Sequence, residues 1–152
     1  MIKQRITKGA ILEVTVNERY YYAQILHCKN YVFFDYVSNE RLYNFEILQD
    51  KLPLFFIGVY DDIITSGEWL KVGKLPIRKE FEIVPNQYIQ HTGEKIEFEI
   101  YNPNTGVIVA ATREQCIDLE CCAVWDKKHV EERLDDYYNG KLNKWVEDMK
   151  IK

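Results

Sequence analysis

Residues 54–76 read LFFIGVYDDIITSGEWLKVGKLP, and the rest of the chain is most easily interpreted outward from this segment. Its first part, residues 54–60, is a continuous apolar run with one glycine, which is typical of a strand covered on both faces. Two adjacent acids, Asp61 and Asp62, and a Thr-Ser-Gly turn signal follow. A neighbouring strand is predicted at residues 70–74.

The segment between these two predicted strands is the first candidate for a partner-binding surface. It carries Asp61, Asp62, Glu68 and Trp69, so that a buried strand ends in a polar rim with a large aromatic side chain close by. Tryptophan is favoured where one end of a side chain is apolar and the other is wet. In the alternative interpretation Trp69 fills the core and the acids cap a turn, because most buried aromatics serve packing.

Length and composition indicate one domain over residues 1–152, long enough for a real core. The hydrophobic share of 47% and the charged share of 29% are ordinary for a soluble globular protein. The net charge of −4 disfavours a nucleic-acid binder, which needs a basic face to neutralise phosphates. A basic protein partner is better matched to this charge.

The four cysteines give no sign of a metal site or of a disulfide framework. Cys28, Cys116, Cys121 and Cys122 form no CxxC pair and show no metal-ligand spacing. The sequence begins without the apolar segment of a signal peptide, and no run approaches membrane-spanning length. We therefore expect buried, free thiols in a reducing cytoplasm.

Residues 1–111 are predicted to be mainly β. A strand that begins at Gly9 and further strands at 19–28 and 31–37 are joined by two-residue turns, which indicates a meander at the start of a small barrel or strongly bent sheet. The first strand alternates apolar and polar residues, with Glu13 on the polar side, and this predicts a half-buried strand. Residues 95–111 read as a β-hairpin.

Residues 112–152 are predicted to be mainly helical. Thr112 and Gln115 form a capping box, which starts a first helix that continues through the cysteines on one apolar face. Asp126 is the expected N-cap of a second helix over residues 127–138.

A last helix is predicted over residues 141–150, with an apolar stripe that includes Trp145. Strands therefore come first along the chain and helices last, which is the order of an α+β fold. We expect a bent antiparallel sheet or a partly closed SH3-like barrel, with two to three C-terminal helices packed on it.

Candidate catalytic groups are sparse. The three histidines are far apart and lack partners at ligand spacing. A hydrolase is the less favoured alternative, and it would require His91 to meet Asp61 and Asp62 in the fold. His27 and Cys28 are neighbours on a predicted strand, where adjacent side chains point to opposite faces, so they are not expected to form a nucleophile–base pair.

A nucleic-acid-binding module is the other alternative. Lys71, Lys74, Arg78 and Lys79 form a modest basic cluster, and the tyrosine-rich strands could stack on single-stranded bases. Interleaved acids such as Glu80 weaken this interpretation.

Three separated segments share a pattern with one known family. The first is Lys8-Gly9 leading into ILEVTVNERYYYAQIL, and the last is ATREQCIDLECCAVWDKKHVEERL followed by GKLNKW. The central one is a small-residue turn, a Gly-Glu-Trp step and a Gly-x-Leu-Pro ending, represented here by Gly67, Glu68, Trp69, Gly73, Leu75 and Pro76. Together they resemble the immunity protein 26 family of bacterial polymorphic toxin systems.

The resemblance implies a cytoplasmic, non-enzymatic antitoxin that binds and blocks a cognate toxin domain. It supplies no catalytic residue and no cofactor. Because immunity proteins act by occupying a surface, aromatic anchors and charge complementarity are expected to matter most. An excess of acids suits a basic toxin nuclease. The residues expected to contact the toxin are Asp61, Asp62, Glu68 and Trp69, followed by Trp125 and Asp126.

Overall fold

The computed structural model describes residues 2–151, so the two terminal positions of the predicted domain, Met1 and Lys152, lie outside the described residues. The described chain forms strands, four α-helices and two 3₁₀ helices. The strands are β1 Ala10–Val16, β2 Arg19–Ile25, β3 Tyr31–Ser38, β4 Pro53–Val59, β5 Leu70–Lys74, β6 Gln87–Thr92, β7 Ile96–Tyr101, β8 Ile108–Ala111, β9 Glu120–Cys121 and β10 Val124–Trp125. The α-helices are α1 Asp61–Thr65, α2 Arg113–Cys116, α3 Lys127–Tyr138 and α4 Lys144–Asp148, and the 3₁₀ helices are Phe45–Asp50 and Lys79–Phe81.

The strands form two sheets. A six-stranded sheet has the order β10-β4-β3-β2-β1-β5, and a four-stranded sheet has the order β8-β7-β6-β9. Neighbouring strands are antiparallel except for two parallel pairs, β10 with β4 and β6 with β9. The larger sheet curls into a half-barrel, and the predicted α+β class is confirmed.

The curl of the larger sheet coincides with interruptions in its pairing. The register shifts at Ile11/Leu12 between β1 and β5, and at Phe33/Phe34 between β3 and β4. A third shift, in the pairing of β2 with β3, lies between Tyr21 and Ala23. Bulges of this kind bend a strand and increase its twist, and so they close the sheet on itself.

Both faces of the larger sheet are buried. Leu12 and Phe33 belong to a cluster that α1 and α3 cover, whereas Ile11 and Val32 lie under the two 3₁₀ helices. The prediction of a half-buried first strand is therefore wrong, because Glu13 on its polar side is only 5% exposed.

Glu13 tolerates burial because its carboxylate is paired. The Arg41 guanidinium lies 3.2 Å from one carboxylate oxygen, and the Tyr22 hydroxyl lies 3.3 Å from the other. A buried charge is stabilised only by such partners. Sequence alternation indicates which side chains share a face, but it does not indicate whether that face is covered.

The turns of the meander use left-handed backbone. Asn17 and Glu18, between β1 and β2, both have positive φ, as a two-residue hairpin turn of the favoured type requires. Cys28 and Lys29 have positive φ between β2 and β3. The second strand therefore ends at Ile25 and not at Cys28, as the sequence had predicted.

The C-terminal region departs most from the prediction. The capping box at Thr112 and Gln115 is present, but α2 ends at Cys116, and the chain then adds one short strand to each sheet. The helix Lys127–Tyr138 is confirmed, with Val130 and Leu134 buried. The last helix is shorter than predicted, Lys144–Asp148. None of the helices between residues 2 and 151 is long and apolar enough to cross a membrane.

Candidate functional site

Parallel pairing of β4 with β10 brings two distant segments together. Val59 pairs with Trp125, and the Tyr60 amide donates to the Trp125 carbonyl at 3.2 Å. Because the two strands run in the same direction, the residues that follow them emerge at the same edge of the sheet. Asp62 and Asp126, which follow these strands, lie on one surface for this reason.

The chain then returns over α1 and places Glu68 on the same surface. The amides of Glu68 and Trp69 both donate to the Ile63 carbonyl, at 3.1 and 3.2 Å. The turn depends on Gly67, whose φ is +79°, and a Cβ at this position would lie 2.8 Å from the Ile2 carbonyl oxygen. Only glycine adopts this backbone without strain.

These segments border an open cleft of about 530 Å³. Asp62, Glu68 and Asp126 are exposed within it, and Tyr60 beside them is 55% exposed. Between residues 2 and 151 no cation lies within ion-pair distance of these three carboxylates. We call this surface the acidic cleft, and it is lined by Tyr60, Asp62, Ile63, Glu68, Asp126, Lys127, Lys128 and Glu131.

Trp69 lies beneath the acidic cleft and not on its surface. The side chain is 1% exposed and packs edge to face on Phe33, with ring centroids 5.7 Å apart. Its indole Nε1 donates to Glu131 Oε2 at 3.0 Å, and Lys127 Nζ lies 2.9 Å from the same oxygen. Of the two interpretations of Trp69, burial therefore supports packing, and the side chain reaches the acidic cleft through Glu131.

Trp125 is also a core residue, with 2% of its surface exposed. The Arg133 guanidinium lies 5.0 Å from the Trp125 ring and 3.8 Å from the Phe55 ring. The two terminal nitrogens of Arg133 donate to the two carboxylate oxygens of Glu120, at 2.7 and 2.9 Å, so this cation is both ion-paired and stacked on aromatic rings. The expectation that either tryptophan presents its ring to a partner does not fit this burial.

The remaining predicted contact residues are carboxylates with different surroundings. Asp61 is ion-paired with Lys29 at 3.0 Å and is half-exposed. Asp126 occupies the expected N-cap position of α3, but its side chain makes no capping hydrogen bond. Its carboxylate therefore accepts no hydrogen bond from the first turn of the helix, in contrast to the Thr112 hydroxyl, which accepts from the Gln115 backbone amide.

The hydrolase constellation does not form. His91 lies on β6 and bonds to Glu99 on β7, whereas Asp61 and Asp62 begin α1, beside the other sheet. Within the described range no three His, Cys, Asp or Glu side chains are grouped as metal ligands.

The expectation for the His27–Cys28 pair is wrong. The two residues follow the end of β2 and lie in a turn, where Cys28 Sγ is 3.0 Å from His27 Nδ1. Side chains of adjacent residues point apart on a strand, but a left-handed turn brings them together. The error therefore follows directly from the misplaced end of the strand.

The thiols differ from the expectation of burial. Cys116 is buried and Cys121 is half-buried, but Cys28 and Cys122 are exposed. Desolvation raises the pKa of the Cys116, Cys121 and Cys122 thiols above its ordinary value. A nucleophilic cysteine needs a lowered pKa, so these three thiols are not activated.

Several of the features that favoured nucleic-acid binding are used inside the fold. Tyr21, Tyr22 and Tyr31 of the tyrosine-rich strands are at most 3% exposed and offer no stacking platform. Lys71 Nζ bonds to the Thr7 hydroxyl at 2.7 Å. The guanidinium of Arg78 is paired with Glu80 and lies 4.1 Å from the centroid of the Phe81 ring.

Five residues that line the acidic cleft were not among the predicted contact residues: Tyr60, Ile63, Lys127, Lys128 and Glu131. Tyr60 ends the apolar run of residues 54–60, and Glu131 lies on the helix predicted over residues 127–138. The spacing of Lys127 and Glu131, four residues apart on a predicted helix, is a signal for an ion pair. No local signal indicates that Glu131 meets Trp69, because that contact joins residues far apart in the sequence.

Comparison with known proteins gives no family for the chain. No protein-family model matches it, and no curated protein or solved structure is significantly similar to it.

Proposed function

We propose that this protein is a cytoplasmic antitoxin that binds a toxin domain of a bacterial polymorphic toxin system and blocks it by contact. The proposal begins from the resemblance of three segments to the immunity protein 26 family. It assigns no chemistry to the chain. The partner that we expect is a basic toxin domain, of which a nuclease with a cationic substrate cleft is the best-matched kind.

The observation that carries this proposal is the set of unpaired carboxylates in the acidic cleft. Asp62, Glu68 and Asp126 come from three separate segments, are exposed, and have no cation at ion-pair distance within residues 2–151. The cleft also contains Lys127, which pairs with Glu131, and Lys128, so its lining keeps an excess of negative charge that attracts a cationic surface. Such a lining steers a basic partner and fixes its register.

Tyr60 gives the acidic cleft an anchor of the kind that interfaces use. The residue is 55% exposed and lines the cleft with the three carboxylates. Tyrosine is enriched among residues that dominate binding energy, because it buries a large apolar area and keeps a hydroxyl for a polar contact. Glu131, which lines the same cleft, is held in place by both Trp69 and Lys127.

The test is a rescue experiment with matched variants. The protein is co-expressed with the toxin domain encoded beside it, growth is scored, and co-purification is measured. The test variant combines Asp62→Asn, Glu68→Gln and Asp126→Asn. The control variant removes three exposed acids that lie outside the acidic cleft, by Glu82→Gln, Glu94→Gln and Glu114→Gln.

We expect growth and a stable complex with the unmodified protein and with the control variant, and loss of both with the test variant. Growth without any complex would overturn neutralisation by contact. Equal protection by the test and control variants would overturn the role of the acidic cleft and leave the antitoxin function in place. Absence of rescue would contradict the pairing with that toxin domain.

A further inference from the structure

The edges of the two sheets are protected unequally. β9 and β10, which end the sheets on one side, are two residues long and offer little unpaired backbone. At the β5 edge, the Gln4 side chain accepts from the Lys71 amide at 3.0 Å and donates to the Trp69 carbonyl at 2.8 Å. Short or covered edges are how proteins avoid unwanted strand pairing.

β8 lacks this protection. Its one neighbour within the described sheets is β7, so its outer row of amide and carbonyl groups faces outward. Residues 107–111 read VIVAA, with no charge and no proline to block pairing. Val107, Ile108 and Val109 are 54, 50 and 52% exposed, and because successive residues alternate, both faces of the strand are apolar and accessible.

We propose that β8 pairs antiparallel with β8 of a second copy of this chain, about a two-fold axis at Val109. This register places Val107 opposite Ala111, Ile108 opposite Ala110, and Val109 opposite its own copy. Each large branched side chain then faces a small one, and the central pair consists of two β-branched residues, which favour strand pairing. The four-stranded sheets of the two copies become one continuous sheet of eight strands.

The strand that pairs with the β8 edge is β8 of a second copy and not an unrelated strand, because residues 107–111 are complementary to themselves. A two-fold axis makes each contact occur twice. In a strand that pairs with its own copy, large side chains on one side of the central residue must therefore face small side chains from the other side. VIVAA does so about Val109. The absence of charge from residues 107–111 matters equally, because in a symmetric pair any charge at the centre would face its like.

The test measures mass by sedimentation equilibrium from micromolar to millimolar concentration. We expect the unmodified protein to approach twice the monomer mass of 18.2 kDa as concentration rises. Val109→Lys and Val109→Glu each place like charges opposite one another and are expected to remain monomeric. An equimolar mixture of the two variants places Lys opposite Glu and is expected to restore the dimer.

Ile83→Lys is the matched control, because Ile83 is 74% exposed and lies outside β8. It is expected to dimerise like the unmodified protein. A second measurement needs no variant: hydrogen exchange of the outward-facing amides of β8 is expected to slow as concentration rises, while exchange in the β5 edge stays constant.

Several results would overturn the proposal. They are a monomeric unmodified protein at every concentration, a dimer that survives Val109→Lys, a variant mixture that fails to associate, and growth of the assembly beyond two copies. β8 and the acidic cleft share no residue, so loss of dimerisation and loss of toxin binding are separable outcomes.

Discussion

Trp69 and Glu131 are joined by a hydrogen bond from the indole Nε1 to the carboxylate Oε2, 3.0 Å long. The bond connects the residue that precedes β5 to the second turn of α3, and it links the core of the half-barrel to the acidic cleft. Trp69 is buried in the core, and Glu131 lines the acidic cleft. Trp69 is therefore a packing residue that also positions a carboxylate of the acidic cleft.

A double-mutant cycle at this pair should reveal energetic coupling. Trp69→Phe keeps an aromatic ring against Phe33 but removes the indole N–H, and Glu131→Ala removes the acceptor. Because the bond involves a charged acceptor, we expect each single change to lower the free energy of unfolding by about 2 kcal/mol. The double variant should lose about 1 kcal/mol less than the sum, measured by urea unfolding followed by far-ultraviolet circular dichroism.

Trp69→Ala is the harsher comparison for the same pair. Truncating a fully buried tryptophan leaves a cavity and removes one of the two partners of the Glu131 carboxylate, so the expected loss is about 3–5 kcal/mol. Additive losses in the cycle would show that the hydrogen bond contributes nothing. In that case Glu131 would be positioned by Lys127 alone.

Neutralising the acidic cleft should leave folding stability nearly unchanged. Asp62, Glu68 and Asp126 have no ion-pair partner within the described chain, so Asp62→Asn, Glu68→Gln and Asp126→Asn together break no salt bridge. Relief of repulsion among the three charges offsets the favourable interaction of Asp62 and Asp126 with the amino ends of α1 and α3. We expect the free energy of unfolding to change by less than about 1 kcal/mol.

Salt provides the internal check on this second prediction. Added salt screens repulsion between the exposed charges of the acidic cleft. The free energy of unfolding of the unmodified protein should therefore rise with salt concentration, and that of the neutralised variant should rise less. Chemical unfolding at low and high salt measures both. A loss of several kcal/mol in the neutralised variant would contradict the assignment of these carboxylates as unpaired.

The strands of the meander and helix α3 could be predicted because their signals are local. Alternating residues, two-residue turns and an apolar stripe each extend over several residues in a row, and β2, β3 and α3 carry them. The residues 120–125 carry no such signal. Strands of two residues show no period, and they form only because β6 and β4 offer partner edges, which are distant in the sequence.

In the candidate site, too, single residues could be predicted from local patterns, whereas their assembly could not. Asp61 and Asp62 were predicted at the end of a buried strand, and Asp126 at the start of a helix, both from local patterns. The assembly of Asp62 and Asp126 into one cleft requires the parallel pairing of Val59 with Trp125, which no local pattern contains. For the same reason the burial of Trp69 could not be decided from the sequence, since α3, which covers it, lies far along the chain.

Gly67→Ala is expected to destabilise the fold more than the same change at Gly106 or Gly93. Gly67 combines a φ of +79° with a Cβ position 2.8 Å from the Ile2 carbonyl oxygen, so alanine there meets both backbone strain and a clash. Gly106 has a φ of +78° but open space, and Gly93 has neither constraint. The expected losses are about 3 kcal/mol at Gly67, about 1 kcal/mol at Gly106 and close to zero at Gly93.

Thermal unfolding of the three alanine variants gives the order of their stabilities directly. The comparison of Gly67 with Gly106 isolates the clash, and the comparison of Gly106 with Gly93 isolates the backbone conformation. If Gly67→Ala were no more damaging than Gly106→Ala, Ile2 would not be packed against the turn. The turn that places Glu68 in the acidic cleft would then be held by its own hydrogen bonds alone.

Alkaline pH should unfold the protein through its buried tyrosines. Burial raises the pKa of Tyr31 to about 12, and the nearby Asp61 charge acts in the same direction. Burial likewise raises the pKa of Tyr22 to about 12. Because these pKa values exceed the unfolded value of about 10, the folded state holds more protons between pH 10 and 12, and the free energy of unfolding falls as pH rises through that window.

Tyr31→Phe tests the direction of this pH dependence at a single residue. The Tyr31 hydroxyl is buried without a hydrogen-bond partner among the described residues, so removing it should leave the protein as stable at neutral pH or more stable by about 1 kcal/mol. Between pH 10 and 12 the advantage of the variant over the unmodified protein should grow by about 2–3 kcal/mol. Tyr43→Phe, at a side chain that is 90% exposed, should follow the unmodified protein throughout. Urea unfolding at stepped pH provides the comparison, and parallel curves for Tyr31→Phe and the unmodified protein would show that Tyr31 ionises equally well in both states.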